Sequence, residues 1–329
     1  MALSPIDEVH ALQIQAGTLG RKAGHDFEDQ IALRVNELRY PYTIKSSQSR
    51  NLFTGHPAEL LMNYLGNYYN VEQVLSASAI STGALATSED GRKWLSINGA
   101  DVRRCKSDLV ITITLPGRNA FSCGISTKQC NNPTPTNAQL YFTTARGFSR
   151  LLRDNGLSVS DAAIDGLRQF CGDVGYRPLD NPAALRGRVT DPRRYFWEEI
   201  PEIARAEWEA TLSQKQNAIT TLLLQKAYID DPFIPEFLIH KTRFSASWEL
   251  TEVAIYSIAQ IVDLSSRYQG FATKPYSVRK GSYKDPTGVR HLAPRFGIVQ
   301  MQRGGQEQHP EQLQFNLEAG YFYKLEELP

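Results

Sequence analysis

Residues 107–129 leave the chain little conformational freedom. Leu109-Val110-Ile111-Thr112-Ile113-Thr114 is a run of β-branched and aliphatic side chains, the composition that fits a pleated, half-buried surface. Leu115-Pro116-Gly117-Arg118 follows; proline presets φ and glycine accepts positive φ, so the chain turns there. Ala120 to Gln129 then reads as a second strand. A hairpin centred near Gly117 sets Asp108 opposite Ser126. Lys128 lies two residues further on, faces the same side as Ser126, and is a diagonal neighbour of Asp108. Leu109, Ile111 and Ile113 make the core face, while Thr112 and Thr114 share the polar face with Asp108.

A third group comes from an earlier element. His25 to Arg39 has helical periodicity, stopped by Pro41. Glu28, Ile31, Ala32 and Val35 fall at i, i+3, i+4 and i+7, which puts Glu28 on the packing face. A carboxylate there needs a partner. Asp26 and Asp29 project elsewhere and read as surface acids.

Further along, Pro57–Tyr69 is a predicted helix, 94–128 is β, and 131–136 is a loop. Helices are expected at 138–155, 160–171, 194–212, 214–228 and 249–266. Residues 232–241 are expected to be extended, and strands return after Phe271. The order is helices, a β-meander, helices, then strands. That is a mixed α/β protein, not an alternating doubly wound one. The Pro-, Gly- and Arg-rich stretch 173–193 reads as a joint. The expected partition is a core at 1–172, the joint at 173–193, and a helical and strand region at 194–329 for recognition or dimerisation, able to pack as one domain with the core.

Several classes drop out. The 329 residues carry 36 basic and 35 acidic side chains, a net charge of +1, so bulk charge does not advertise a polyanion partner. Cys105, Cys123, Cys130 and Cys171 show no CxxC spacing and no zinc-type histidine partner, which reads as reduced thiols. No apolar run is long enough to span a bilayer and no leader pattern opens the chain, so a cytoplasmic protein is expected. GxGxxG, P-loop, GxSxG and HExxH patterns are absent. His25 and His56 are near the predicted site in sequence, but lone histidines are weak evidence.

The acid, acid and amine suit phosphodiester cleavage. That reaction needs a hard divalent cation on oxygen ligands, a water of lowered pKa, and positive charge against the developing phosphorane. In this reading Asp108 binds Mg²⁺, Glu28 binds a second ion or orients water, Lys128 positions or deprotonates the attacking water, and Gln129 orients a water or the strand end. These residues bring in a resemblance. Glu28 on an early helix, Ser107-Asp108 opening a strand and Ser126-Thr127-Lys128 closing the next resemble the PD-(D/E)xK nucleases, especially type II restriction endonucleases, over about residues 24–170. The resemblance implies a restriction-endonuclease-like core, with a central mixed sheet flanked by helices and a C-terminal α+β region. It implies a Mg²⁺-dependent endonuclease acting on double-stranded DNA at a short specific site, and a homodimer. Ser107 stands where proline is common, and Ser126 where Asp or Glu is usual. The resemblance allows a carboxylate drawn from elsewhere, with Glu28 the candidate; no acid occurs from 129 to 153, so one borrowed from the following helix does not fit. Alternatives are a non-specific repair or phage nuclease, and a DNA-binding protein that kept the fold and lost catalysis.

The C-terminal half fits a target reader. From Lys274 to Arg303 there are seven Lys or Arg against the single acid Asp285. Lys274, Arg279, Lys280 and Lys284 suit phosphates, with Tyr276 and Tyr283 interleaved. Arg295, Gln300, Gln302 and Arg303 complete the candidate DNA-binding set, since Gln and Arg read base edges bidentately.

Overall fold

The computed structural model describes residues 25–45, 50–82, 96–97, 100–101, 105–226, 231, 233–276, 291–303, 311–318 and 320–327. In chain order its main elements are α1 (25–37), β1 (Leu52–Thr54), α2 (Pro57–Tyr68), β2 (Ser76–Ser81), β3 (Leu109–Thr114), β4 (Phe121–Gln129), β5 (Ala138–Thr144), α3 (Ala145–Asp154), α4 (Asp161–Cys171) and α5 (Glu202–Gln214). There follow α6 (Gln216–Gln225), β6 (Pro235–Lys241), β7 (Glu252–Ser257), α7 (Ile258–Tyr268), β8 (Phe271–Tyr276), β9 (His291–Phe296), β10 (Val299–Arg303), β11 (Gln312–Leu317) and α8 (Tyr321–Leu325). The architecture is mixed α/β. Among the described residues no helix is long and apolar enough to cross a membrane.

Chain contacts divide the protein into two units. The first takes in the chain up to Thr136, Gln225–Ile258 and Phe322–Glu327; the second takes in Asn137–Leu224 and Ala259–Tyr321. The first unit is therefore discontinuous, and β6 and β7 from the C-terminal half belong to it.

The first unit is a six-stranded mixed sheet in the order β1-β7-β6-β4-β3-β2. Its hairpin forms as the turn chemistry dictates. Arg118 N–H bonds the Leu115 carbonyl at 3.1 Å, and Gly117 takes φ 71°, as position i+2 of a type II turn requires. The ladder runs from Ile113↔Phe121 to Leu109↔Ile125. β6 pairs with β4 in parallel and the other ladders are antiparallel. Leu109, Ile111 and Ile113 are fully buried with Cys123, Ile125, Phe237, Ile239, Val253 and Ile255. The apolar stripe of α1 (Phe27, Ile31, Ala32 and Val35) and Leu61, Met62 and Leu65 of α2 belong to the same cluster. Pro57 opens α2, where a missing N–H costs nothing, and the His56 side chain accepts from Ala58 N–H.

The second unit is a five-stranded antiparallel sheet, β8-β9-β10-β11-β5, with α3 to α7. Phe148 of α3 meets Phe315 of β11 with ring centroids 4.6 Å apart and stacks on Trp208 of α5. The indole N–H of Trp208 donates to the Ala163 carbonyl at 2.7 Å. Ser160 caps α4 by accepting from Ala163 N–H, as its position predicts.

Three segments differ from the sequence expectation, the first being the helix expected from 194, which begins at Glu202 after a 3₁₀ turn at Trp197–Glu199. Residues 138–144 are strand, not helix; β5 pairs with β11 and only then does Thr144 cap α3. Residues 252–257 are strand β7, so the helix expected at 249–266 begins at Ile258. In the last two places an apolar run is compatible with either element, and pairing to a distant strand decides.

Candidate active site

The chain approach to Asp108 is tied on every side. Asp231 accepts from Lys106 N–H at 2.6 Å, and the Ser107 hydroxyl donates to the Phe233 carbonyl at 2.7 Å. Asp108 N–H reaches the Ile125 carbonyl at 2.9 Å, while its own carbonyl accepts from Thr82 N–H at 3.0 Å. This continues the hairpin register and brings Asp108 level with Ser126. Gly124 makes the approach possible. A Cβ there would collide with the Ser107 hydroxyl and lie 2.7 Å from the Ile234 carbonyl oxygen. That oxygen belongs to the backbone and cannot step aside. Gly124→Ala is expected to cost about 1–3 kcal/mol by overpacking, seen as a lowered Tm; an unchanged melt would refute the close approach.

Three donors converge on one oxygen. Asp108 Oδ2 accepts from Thr127 N–H at 2.6 Å, from the Ser126 hydroxyl at 3.2 Å and from the Lys128 ammonium at 3.4 Å. The ammonium also donates to the Thr127 carbonyl at 2.6 Å and to Ser126 Oγ at 3.1 Å. Asp108 Oδ1 keeps no hydrogen-bond partner among the described residues. Ser126 is buried, and Asp108 and Lys128 are partly open.

Glu28 comes to the same strand end from α1. It is only 7% exposed, accepts from the Thr127 hydroxyl at 3.0 Å, and has His25 Nδ1 at 3.4 Å. Burial first, then the charge of Asp108, push its carboxyl up to about 8, against the opposing Thr127 bond and Lys128 charge. Asp26 and Asp29 are exposed.

Two neighbours were not read from the sequence. Lys106 senses Lys128, Asp108 and Asp231; burial and then Lys128 push its amine down to about 8. Its position two residues before Asp108 was the available signal. His240 of β6 is the register partner of Lys128. It is buried under Phe322, and burial, then Lys128, push it down to about 3, so the ring stays neutral beside the ammonium.

The donor set fits a hard cation. Asp108 and Glu28 supply carboxylate oxygen, Ser126 and Thr127 supply neutral oxygen, and these are the ligand types of Mg²⁺. The Lys128 ammonium is held among Asp108, Ser126 and Thr127 oxygens. No cluster of three or more His, Cys, Asp and Glu of metal-binding type occurs among the described residues.

No family model matches the sequence, and no curated protein matches it. A similar solved structure is the crystal structure of restriction endonuclease MspI in complex with its cognate DNA. The two are 12% identical with a TM-score of 0.45, over 79% of this chain and 78% of that one.

The remaining predicted residues scatter. Gln129 ends β4, and its side-chain nitrogen is buried without a hydrogen-bond partner among the described residues. His56 serves as the cap of α2 and stacks on Trp248. Arg279, Lys280, Lys284 and Tyr283 lie outside the described residues. Arg295 is buried, ion-paired to Glu318 at 2.6 Å. Arg303 lies over the ring of Phe196 at 4.5 Å. Lys274, Gln300 and Gln302 are half-exposed on the second sheet, where Gln300 accepts from Asn137 at 3.3 Å.

Proposed function

We propose that the protein is a Mg²⁺-dependent endonuclease of double-stranded DNA, a type II restriction enzyme that hydrolyses phosphodiester bonds at a short specific site and works as a homodimer. The observation that carries this reading is the convergence of Asp108, Ser126 and Lys128 on one strand end, with buried Glu28 bonded to the intervening Thr127. Asp108 and Glu28 are the residues to hold Mg²⁺, with the Ser126 hydroxyl and Thr127 carbonyl as neutral donors. When bound, Mg²⁺ supplies a water of lowered pKa and charge against the phosphorane.

The chain's own groups do the rest. The Lys128 ammonium donates to phosphate oxygen and orients the attacking water. Thr127 N–H and Ser126 Oγ hold the Asp108 carboxylate in place, so no reorganisation is needed as charge develops. Lys106, whose amine senses the charges of Lys128 and Asp108, adds a second positive group beside them. Lys274, Arg279, Lys280 and Lys284 take phosphates, and Gln300 and Gln302 read base edges, with Arg295 and Arg303 held back in internal contacts. A two-fold dimer matches a palindromic target.

A DNA-binding protein that has lost catalysis is the second reading, favoured by Ser126 where the resembled nucleases usually carry an acid. Plasmid digestion with and without Mg²⁺ separates the readings. Discrete fragments with Mg²⁺ and none in EDTA are expected. A smear means a nuclease without sequence specificity. Salt-sensitive DNA binding with no cutting favours the second reading, and neither binding nor cutting sinks both.

A further inference from the structure

The loop 242–251 lies at the end of the sheet that carries Lys128. β6 runs parallel to β4 with His240 beside Lys128 and Lys241 beside Gln129, so both strands deliver their following loops to the same edge. Ligands of α/β sheets collect at such carboxyl ends. The two loops are locked together. Cys130 N–H bonds the Lys241 carbonyl and Phe244 N–H bonds the Asn132 carbonyl, each at 2.8 Å. The Lys241 ammonium donates to Asn131 at 3.0 Å.

The loop is also braced from within. Thr242 donates to Glu252, Ser245 to the Ser247 carbonyl at 2.6 Å, and Thr251 to the same carbonyl at 3.0 Å. Trp248 stacks on Phe27, the neighbour of Glu28 on α1, with centroids 5.8 Å apart. The loop is thereby anchored to both parts of the candidate site. Yet the ring at its centre is in solvent: Phe244 is 59% exposed, and Leu250 is 67% exposed. An ordered loop that holds an aromatic ring out of the core, beside two exposed carboxamides (Asn131 and Asn132) and the exposed guanidinium of Arg243, has the components of a base contact. Aromatic rings give bases a stacking platform, and apolar wedges enter between base steps.

We propose that Phe244 stacks on or between bases next to the scissile phosphate, with loop 242–251 and Asn131–Asn132 forming a DNA-gripping rim. This rests on the nuclease reading of the Asp108–Lys128 site. It differs from the basic strip after Lys274 in mode, since it acts through stacking. The occupant is duplex DNA because the rim adjoins the residues assigned to the phosphate.

The test compares wild type, Phe244→Ala and Phe244→Trp on fluorescein-labelled duplexes with randomised cores, in EDTA. Anisotropy measures affinity and permanganate reactivity measures unstacked thymines. Phe244→Ala is expected to weaken binding about tenfold and to lose any permanganate signal, while Phe244→Trp retains both. Circular dichroism confirms the fold, which an exposed side chain does not support. If wild type binds and cuts DNA and Phe244→Ala matches it, the rim is wrong and the nuclease reading stands. If wild type neither binds nor cuts, the nuclease reading fails and takes the rim with it. A concentration-dependent dimer dissolved by Phe244→Ala, with DNA affinity unchanged, overturns the rim in favour of a protein contact.

Discussion

Lys128→Ala is expected to lower Mg²⁺-dependent cleavage by at least about a hundredfold, the usual cost of removing a group aimed at developing charge. DNA affinity in EDTA should change far less. The ammonium is held by Asp108 Oδ2, Ser126 Oγ and the Thr127 carbonyl, so it is aimed before any substrate arrives. Its removal leaves Asp108 with the Thr127 N–H and Ser126 bonds, and the hairpin keeps its register. Lys128→Arg should not restore activity. A guanidinium is a planar fork and cannot place one point charge among three oxygens. Single-turnover cleavage on the fragment pattern of wild type measures the effect. Cleavage by Lys128→Ala at the wild-type rate, with Asp108→Asn inactive, would assign the chemistry to the carboxylates alone.

The parts of the site legible in the sequence are those set by local geometry. Turn chemistry at Pro116-Gly117 and the β-branched run at 109–114 determine which residues of two adjacent strands face each other, and the placing of Asp108, Ser126 and Lys128 follows from that. Glu28 was legible because an acid on an otherwise apolar helical stripe has few reasons to be there. What escaped depends on pairing across long stretches of chain. β6 joins β4 more than a hundred residues later in sequence, so His240 beside Lys128 had no local signal. The apolar residues Leu140 and Phe142 merge in sequence with the helix that carries Phe148, whereas the pairing of β5 with β11 is invisible until the chain closes. The same cause hides the discontinuous first unit, whose sheet is completed from residues 235–257. Within the basic strip, charge counted along the chain does not distinguish a solvated arginine from Arg295, which is buried against Glu318.

Glu28 is expected to make the stability of the protein fall with rising pH, and Glu28→Gln should remove most of that slope. Burial and the charge of Asp108 raise its carboxyl from 4.5 to about 8. Between those values the folded state holds a proton that the unfolded state has released. The contribution is fully present below pH 4.5 and is lost as pH rises through about 8. At 1.36 kcal/mol for each pH unit the whole window is worth at most roughly 5 kcal/mol. The glutamine carboxamide can still accept the Thr127 hydroxyl bond and has no proton to lose, so its Tm should decline less between pH 5 and pH 8.5 in thermal melts followed by circular dichroism. Mg²⁺ adds the second half of the argument. A cation beside Asp108 and Glu28 favours their charged forms and stabilises the state that binds it. Adding Mg²⁺ at the upper pH should therefore raise the Tm of wild type by more than that of Glu28→Gln, and the difference should shrink near pH 5, where Glu28 keeps its proton. Parallel pH profiles for the two proteins would remove Glu28 from the site as a strained acid. A Mg²⁺ response unchanged by the substitution would leave Asp108 to hold the ion without it.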